Sequence, residues 1–584
     1  MTFAPTPEQV HIIDAPLGSQ CVIACAGSGK TATAVRRLAT IRRVLGHSRA
    51  YVALLSYSNT AVNTFRSEYS QLASSVPASP GRVHISTVDS FVASQILLPH
   101  AARLMGCNRR PFLVHGEEPF LAGHTVFNGT HGVPIEYLRA VVDENGMPQF
   151  TTKLGNAPAT QISAAAAVAA IKKLSKAAAY THQTGRYLAW RVLQEDGRLA
   201  DILARRFPHI LVDEAQDIGS FHGALLRILR TRGTTLSLIG DPHQAIFEFA
   251  DADGTFLKAF SSEVEPSSLT INRRSVWPIV AAANHMSGIV ATSARTAPDR
   301  LHGAFTFCYD PKNVEAIPFE FAEKLAACGY AASEVVILCR GRALLDKLLG
   351  ATPNRGKGTT KRFALASIVR DGGADAIEAF EFLAEGVCSL LEKTPAGLQR
   401  ELIDGAIDPT VAAIRRVLWR FLRDPVNGLP AASLAAKNAW QPLLKTRISS
   451  LLKDVCKVSS YTASPTWKKK ITVAGLPEIP LLELVDPGLV KVSALVKTVH
   501  DVKGEGIPTV IYLAKKGDLT SLLQGPVTED GRIGYVAITR ARDLLLIGVP
   551  KGAEDLLPML ASKGVGAWAP PVPLSSDFGN QPVP

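Results

Sequence analysis

The stretch Ala24-Cys25-Ala26-Gly27-Ser28-Gly29-Lys30-Thr31 constrains this chain more than any other. It lies between the apolar run Cys21–Ala24 and a helix-like segment that begins near Thr31. A strand, a glycine-bearing loop and a helix in that order build a phosphate cradle. Backbone N–H groups turn inward around the phosphates, and the helix N-terminus adds a favourable dipole. Ala26, Gly27, Ser28 and Gly29 form the loop, Lys30 reaches for the β- and γ-phosphates, and the Thr31 hydroxyl is placed to ligate Mg²⁺. Ala24 stands where the strictest form of the pattern has its first glycine, so a chance glycine-rich turn is the competing reading. A second signal weighs against chance. In His209-Ile210-Leu211-Val212-Asp213-Glu214 an apolar run ends in two adjacent carboxylates. A buried parallel strand delivers side chains to its C-terminal edge in this way. Asp213 would hold the metal and Glu214 would orient or deprotonate an attacking water.

Short apolar strand candidates recur at Val22–Ala24, Val52–Leu55, Val83–Ser86, Ile210–Val212, Leu236–Ile239, Val335–Leu338, Val510–Leu513 and Leu544–Val549. Helical stretches separate many of them, which implies parallel sheets in an α/β fold. Two regions break the alternation. Residues 100–200 show few strand signals and an alanine-rich helical run, Ser163–Lys176. Residues 370–480 read as mostly helical, with Ala374–Leu391 and Ile407–Leu422 amphipathic. At 584 residues several domains are expected. The net charge of +12 suits a polyanionic partner. The eight cysteines include no Cys-x-x-Cys pair, which disfavours a zinc ribbon and fits reduced thiols in the cytoplasm. No signal-peptide pattern opens the chain, and no apolar run approaches a membrane span.

Further segments fall in a telling order. They are Pro7-Glu8-Gln9, Leu54-Leu55-Ser56-Tyr57-Ser58-Asn59-Thr60-Ala61, Ser86-Thr87-Val88-Asp89-Ser90-Phe91, Leu238-Ile239-Gly240-Asp241-Pro242-His243-Gln244-Ala245-Ile246-Phe247, Asn272-Arg273-Arg274-Ser275, Val499-His500-Asp501-Val502-Lys503-Gly504-Glu505-Gly506 and Tyr535-Val536-Ala537-Ile538-Thr539-Arg540-Ala541-Arg542. Together with the phosphate loop and the acidic strand, they resemble the motif series of superfamily 1 DNA helicases of the UvrD/Rep/PcrA type. The resemblance implies two RecA-like parallel-sheet motor domains, each with a mainly helical insertion. The first motor domain would comprise 1–100 and 200–280, with its insertion at 101–199. The second would comprise 281–370 and 483–564, with a short insertion at 371–482, leaving 565–584 as a flexible tail.

The same resemblance implies ATP and Mg²⁺ as cofactors and a role for each matching residue. Gln9 would read adenine, Arg273 would lie against the base, and Glu505 would bind ribose. Gln244 would sense the γ-phosphate, and Arg274 and Arg540 would serve as arginine fingers from the second domain. Tyr57, Phe247 and Phe249 fall at base-stacking positions, and Thr87 and His500 at backbone-contacting ones. The implied activity is 3′→5′ translocation on single-stranded or partly duplex DNA. Stand-alone helicases of this size are also similar to those of anti-phage systems such as Gabija, which would place a separate nuclease subunit beside the chain as a non-unwinding alternative.

The chain departs from the family pattern near the base. Ala32 replaces an arginine, Arg273 replaces an aromatic, Phe249-Ala250-Asp251 replaces Trp-Arg-Gly, and the carboxylate of Glu505 is shifted by one position. For Tyr57, Phe247 and Phe249 the competing reading is core packing, and for His500 a structural side chain. The basic and aromatic residues Lys172, Lys173, Lys176, Tyr180, Arg186, Tyr187, Trp190 and Arg191, and the segment Trp467-Lys468-Lys469-Lys470, fit either a nucleic-acid surface or a solvated helix face.

Overall fold

The computed structural model describes residues 4–569, apart from 75–80, 108, 115–118, 129–130, 154–157, 249–250, 349–357, 373–375, 393, 396, 405–407 and 483–495. Two six-stranded sheets organise it, and every pairing within them is parallel. Across the first sheet the strands run Pro266–Leu269, Gln20–Ala24, Thr235–Gly240, His209–Val212, Val52–Ser56 and Val83–Thr87. Across the second they run Val496–Thr498, Val335–Cys339, Ile507–Leu513, Ala541–Pro550, Gly303–Tyr309 and Gly566–Ala567.

Both sheets are covered on both faces, which explains why their strands are apolar runs rather than alternating ones. In the first sheet Val22, Leu54, Leu211 and Ile239 pack with Val35, Leu38, Ile41 and Phe65 of the helices Lys30–Val44 and Asn59–Ser74. Their neighbours Cys21, Leu55, Ile210 and Leu238 point to the opposite face, as the two-residue strand period requires. There they meet Phe91, Leu188, Leu225 and Leu229. The second sheet divides in the same way, with Ile337, Ile511 and Leu546 on one face and Leu338, Val510 and Leu545 on the other.

The first insertion holds the helices Ala164–Lys176 and His182–Glu195. It also holds a hairpin, Thr125–Asn128 with His131–Pro134, and a three-stranded antiparallel sheet of Leu138–Val142, Pro148–Thr152 and Thr160–Ile162. These strands are short and mix polar with apolar residues, so they leave little mark as apolar runs. Tyr180, Tyr187 and Trp190 of the basic-aromatic stretch are buried in the core of the first domain. They form neither a nucleic-acid surface nor a solvated helix face.

The second insertion has its own core, centred on Trp440, whose Nε1–H donates to Ser367 Oγ at 3.1 Å. The helix Gly358–Asp371 contributes Phe363, Ala364 and Ala366 to that core. This element therefore joins the insertion, although the sequence boundary was set at 371. The tail also starts later than 565. Gly566–Ala567 pairs with Phe305 and Thr306, and the Trp568 ring stacks on Phe321 at 5.0 Å. Residues 570–584 lie outside the described residues. Among the described residues no helix is long and apolar enough to cross a membrane, and all eight cysteines are free thiols.

Candidate nucleotide site and strand track

The phosphate loop leaves the strand Gln20–Ala24 and folds back through a turn in which Ser28 N–H and Ser28 Oγ–H both donate to the Cys25 carbonyl, at 3.3 and 2.9 Å. Gly27 and Gly29 adopt φ values of +72° and +83°, which L side chains rarely tolerate. A Cβ at Gly27 would lie 2.6 Å from Arg274 Cβ, and one at Gly29 would lie 2.8 Å from Gln9 Nε2. Both glycines are thus demanded by close approach as well as by backbone conformation. Gly29 caps the helix Lys30–Val44 without a side-chain hydrogen bond. The first N–H groups of that helix and the buried Lys30 are therefore available to an anion.

Asp213 N–H donates to the Leu55 carbonyl at 2.8 Å, extending the strand pairing by one residue into the loop edge. Thr31 Oγ–H donates to Asp213 Oδ2 at 3.4 Å, while the buried Asp213 Oδ1 has no hydrogen-bond partner among the described residues. An orphaned carboxylate oxygen beside a threonine hydroxyl is a donor set that fits Mg²⁺. No group of three or more His, Cys, Asp or Glu that could hold a metal ion occurs among the described residues. A metal here would therefore rest on Thr31, Asp213 and the oxygens of its nucleotide.

Burial pushes the Asp213 carboxyl up, and the neighbouring Glu214 charge pushes it further. Glu214 moves the other way. Burial opposes its charge, but Lys30, Lys503 and the Gln216 amide outweigh that and hold it ionised. Gln216 Nε2–H donates to Glu214 Oε2 at 2.5 Å. Glu214 has a left-handed backbone, with φ +54° and ψ +43°. Such strain concentrates where function fixes a side chain.

The chain crosses to the second domain at Asn272. The Asn272 side-chain oxygen accepts from the N–H groups of Arg274 and Ser275, at 2.7 and 2.9 Å. Arg274 then docks on the second domain, with Nη1–H donating to the Thr539 carbonyl at 3.1 Å and Nη2–H to the Gly504 carbonyl at 3.2 Å. The crossover therefore lies ahead of the residue 280 boundary. Burial and the neighbouring Arg540 charge lower the Arg274 pKa to about 9, against the pull of Glu214. Arg540 is buried and donates from Nη2 to Gln244 Oε1 at 3.0 Å. Gln244 Nε2–H in turn donates to Asp241 Oδ2 at 2.6 Å. The residues assigned to hydrolysis thus converge on one cleft, and Gln244 bridges its two walls.

Gln9 and Glu505, the residues assigned to base and ribose, each have partners within the protein. The Gln9 side chain is 0% exposed. It completes a capping box with Thr6 and donates from Nε2 to the Ser28 carbonyl at 3.0 Å. Arg273 holds the N-terminal segment through Nη2–H donation to the Ala4 carbonyl at 2.5 Å. Glu505 is partly exposed and pairs with Lys497 at 3.5 Å, while its backbone carbonyl accepts from Arg540.

At the positions assigned to strand contact, Tyr57 Oη–H donates to His222 Nδ1 at 3.3 Å, because Asp89 Oδ1 takes the Nε2–H of the same ring at 2.9 Å. Asp89 also receives a bidentate pair from Arg186 of the first insertion, at 2.8 and 2.7 Å. Thr87 caps the helix Val88–Phe91 by accepting from Ser90 N–H at 3.2 Å. Phe247 is half-buried against the second domain and faces the His500 ring at 5.7 Å. His500 shares a hydrogen bond between Nε2 and the Ile246 carbonyl at 3.1 Å. Phe249 lies outside the described residues. The Asp251 carboxylate accepts from Ser220 N–H and Oγ–H, at 2.8 and 2.5 Å, and the residue has a φ of +66°.

Sequence reasoning missed the residues that tie the walls together. Lys503 Nζ–H groups donate to both Asp217 oxygens, at 2.7 and 2.6 Å, and to the Gln244 carbonyl at 2.7 Å. The two side chains are 8% and 3% exposed. Arg532 grips the same loop through the Ala245 carbonyl and Glu248. Lys503 and Asp217 each fall inside a quoted motif, but their pairing spans 286 residues and leaves no local signal.

The family model of the UvrD/REP helicase N-terminal domain matches residues 5–265, which include the phosphate loop. The RecBCD enzyme subunit RecB of Borreliella burgdorferi is 32% identical over 104 residues, which is 17% of this chain and 9% of that protein. The ATP-dependent DNA helicase UvrD1 of Mycobacterium bovis is 27% identical over 305 residues, covering 48% of this chain and 38% of that protein. UvrD2 of the same species is 23% identical over 617 aligned residues, covering 97% and 83%. The chain thus spans well under two thirds of the first two relatives and most of the third. It is UvrD-like in sequence and has two parallel-sheet α/β domains.

Proposed function

We propose that this UvrD-like chain is an ATP-dependent DNA helicase that moves 3′→5′ along single-stranded DNA, driven by Mg²⁺-dependent ATP hydrolysis between its two motor domains. The observation that carries this reading is the convergence on one cleft of Lys30, Thr31, Asp213 and Glu214 from one wall and Arg274 and Arg540 from the other. Two of its relatives bear the name ATP-dependent DNA helicase, and the direction of travel follows the family resemblance.

Lys30 and the helix N-terminus would hold the β- and γ-phosphates. Thr31 and Asp213 would hold Mg²⁺, which when bound supplies charge neutralisation between those phosphates. Glu214, kept ionised by Lys30 and Lys503, would align the attacking water and take its proton as the water oxygen bonds to the γ-phosphorus and the bond from that phosphorus to the β,γ-bridging oxygen breaks, releasing ADP and phosphate. Arg274 and Arg540 would meet the charge that develops on the γ-phosphate. Gln244 hydrogen-bonds to Arg540 and neighbours the loop Ala245–Glu248, which Arg532 grips. Hydrolysis would thereby loosen both the cleft and the strand-facing Phe247 and His500. Opening and closing of that cleft would step the domains along the strand. The net charge of +12 supports a phosphate-tracking grip with steep salt dependence.

The test is ATP hydrolysis with single-stranded DNA, RNA or blunt duplex, followed by strand displacement on forks with a 3′ or a 5′ tail. Stimulation by single-stranded DNA and displacement only from the 3′ tail are expected. Loss of both with Lys30→Ala would tie them to this site. Stimulation without displacement on any fork would replace the helicase reading with a DNA-stimulated ATPase subunit acting beside a separate nuclease.

A further inference from the structure

We propose that Gln216 is the positioning residue for Glu214, and that it ties the place of that carboxylate to the seating of Arg540 on the opposite wall. The inference rests on the hydrolase reading above and deepens it, because the place of Glu214 matters only if it aligns the attacking water. Gln216 lies in the short turn Ala215–Asp217 directly after Glu214, and none of its surface is open. Its Oε1 accepts from Asp241 N–H at 3.0 Å, and its Nε2–H donates to Glu214 Oε2 at 2.5 Å. A backbone N–H can only donate, so it fixes which end of the amide is the oxygen and leaves the amide nitrogen facing the carboxylate. Among the described residues no other group donates a hydrogen bond to the Glu214 side chain.

Asp241 carries the connection from its backbone to its side chain. Asp241 Oδ2 accepts from Gln244 Nε2–H at 2.6 Å, and Gln244 Oε1 accepts from Arg540 Nη2–H at 3.0 Å. A guanidinium also only donates, so Arg540 orients Gln244 as the Asp241 N–H orients Gln216. Four hydrogen bonds thus donate in one direction, from a cation on the second wall to an anion on the first. The bonds at the charged ends are the stronger ones. Gln216, Asp241, Gln244 and Arg540 are all buried, so little water competes for them. Gly240, the last residue of its strand, makes room for this chain of contacts. A Cβ there would lie 2.7 Å from Gln216 Oε1 and 2.7 Å from Leu257 Cδ2. Leu257 is itself buried, so a side chain at Gly240 would push the amide away from the Asp241 N–H.

The experiment measures single-turnover ATP hydrolysis with Mg²⁺ and single-stranded DNA, alongside binding of a non-hydrolysable analogue, for Gln216→Met and Gln216→Asn. Methionine fills the site without its hydrogen bonds. Asparagine keeps an amide for the Asp241 N–H, and with it the buried turn, but is one methylene too short to span both partners. Both variants should bind the analogue as wild type does and lose about 10²-fold in hydrolysis, the effect of displacing a reacting group by about 1 Å. In a Glu214→Gln background the same substitutions should leave the residual rate nearly unchanged, since Gln216 acts through Glu214. Gln216→Met combined with Gln244→Met should lose far less than the product of the two single losses, because both interrupt one chain. Hydrolysis within a few-fold of wild type in the Gln216 variants overturns the proposal. So does an undiminished loss in the Glu214→Gln background, or a full product of losses with Gln244→Met. A wild-type chain that hydrolyses no ATP would instead overturn the hydrolase reading beneath it.

Discussion

Gly27→Ala tests whether the phosphate loop and the second wall of the cleft are packed to function as one unit. Two costs follow from the structure. The first is conformational, because φ is +72°. Holding an L residue in the left-handed region costs about 1–2 kcal/mol. The second is steric, because the new Cβ would lie 2.6 Å from Arg274 Cβ and 2.8 Å from Asn272 Oδ1. Carbon atoms rest about 3.5–4.0 Å apart, so Arg274 and the loop must separate by about 1 Å. Asn272 cannot absorb the shift alone, because its oxygen fixes the N–H groups of both Arg274 and Ser275. A displacement of about 1 Å in a reacting constellation costs about 10²-fold in rate.

Gly46→Ala is the matched control, with φ +51° and nothing within 4 Å of its added Cβ. Gly46→Ala should lose about 1–2 kcal/mol in denaturant unfolding, Gly27→Ala should lose that and its steric cost besides, and only Gly27→Ala should lose about 10²-fold in single-turnover ATP hydrolysis. Binding of a non-hydrolysable analogue, measured separately, distinguishes a damaged cradle from a displaced arginine. If Gly27→Ala hydrolyses ATP within a few-fold of Gly46→Ala, the packing of Arg274 against the loop has no catalytic consequence and the argument fails.

Glu214→Gln should retain ATP binding while single-turnover hydrolysis falls about 10²- to 10⁴-fold, and near-normal turnover would remove Glu214 from its role. Lys503→Met leaves the buried Asp217 charge unpaired and should cost about 3–5 kcal/mol in equilibrium unfolding at pH 7. Adding Asp217→Asn should recover most of that loss, and no recovery would mean that the ion pair is not what holds the site. His222→Phe removes the hydrogen bond that sets Tyr57, worth about 1 kcal/mol, and should weaken binding of a labelled single strand about fivefold in anisotropy titrations; unchanged affinity would sink the positioning role. Asp89 is held far below the usual carboxylate range by His222, His182 and Arg186, which together outweigh its burial. Its contribution to stability is therefore present above the unfolded pKa of 3.8 and declines as pH falls below it. The stability gap between wild type and Asp89→Asn should be constant near neutrality and shrink below pH 4, and a gap that widens on acidification would contradict the assignment.

The sequence by itself determined the elements whose physics is local. The apolar runs ending at Ala24, Leu55, Val212 and Ile239 are legible as buried parallel strands because both of their faces must be covered. The loop glycines are legible because phosphate binding at a helix start needs backbone freedom there. Ser163 was legible as the start of a helix because a serine before an alanine-rich run caps it, and its Oγ does accept from Ala166 N–H. Thr6-Pro7-Glu8-Gln9 carried a local signal too, a threonine and a glutamine in capping-box spacing with proline at the first helical position. The first insertion's strands were not legible, because two- to five-residue strands with mixed polarity gain their definition from pairing partners.

Only the tertiary structure decided which polar and charged groups face each other. Lys503 meets Asp217, Arg186 meets Asp89 and Arg540 meets Gln244 across separations of 286, 97 and 296 residues. No periodicity or propensity encodes such pairs, since the energy of each depends on burial and distance that exist only after the sheets have packed. For the same reason the aromatics of the first insertion were ambiguous in sequence. Tyr187 and Trp190 carry the same composition on a DNA-facing surface as in a core, and the surrounding Phe150 and Phe221 rings decide that they are core.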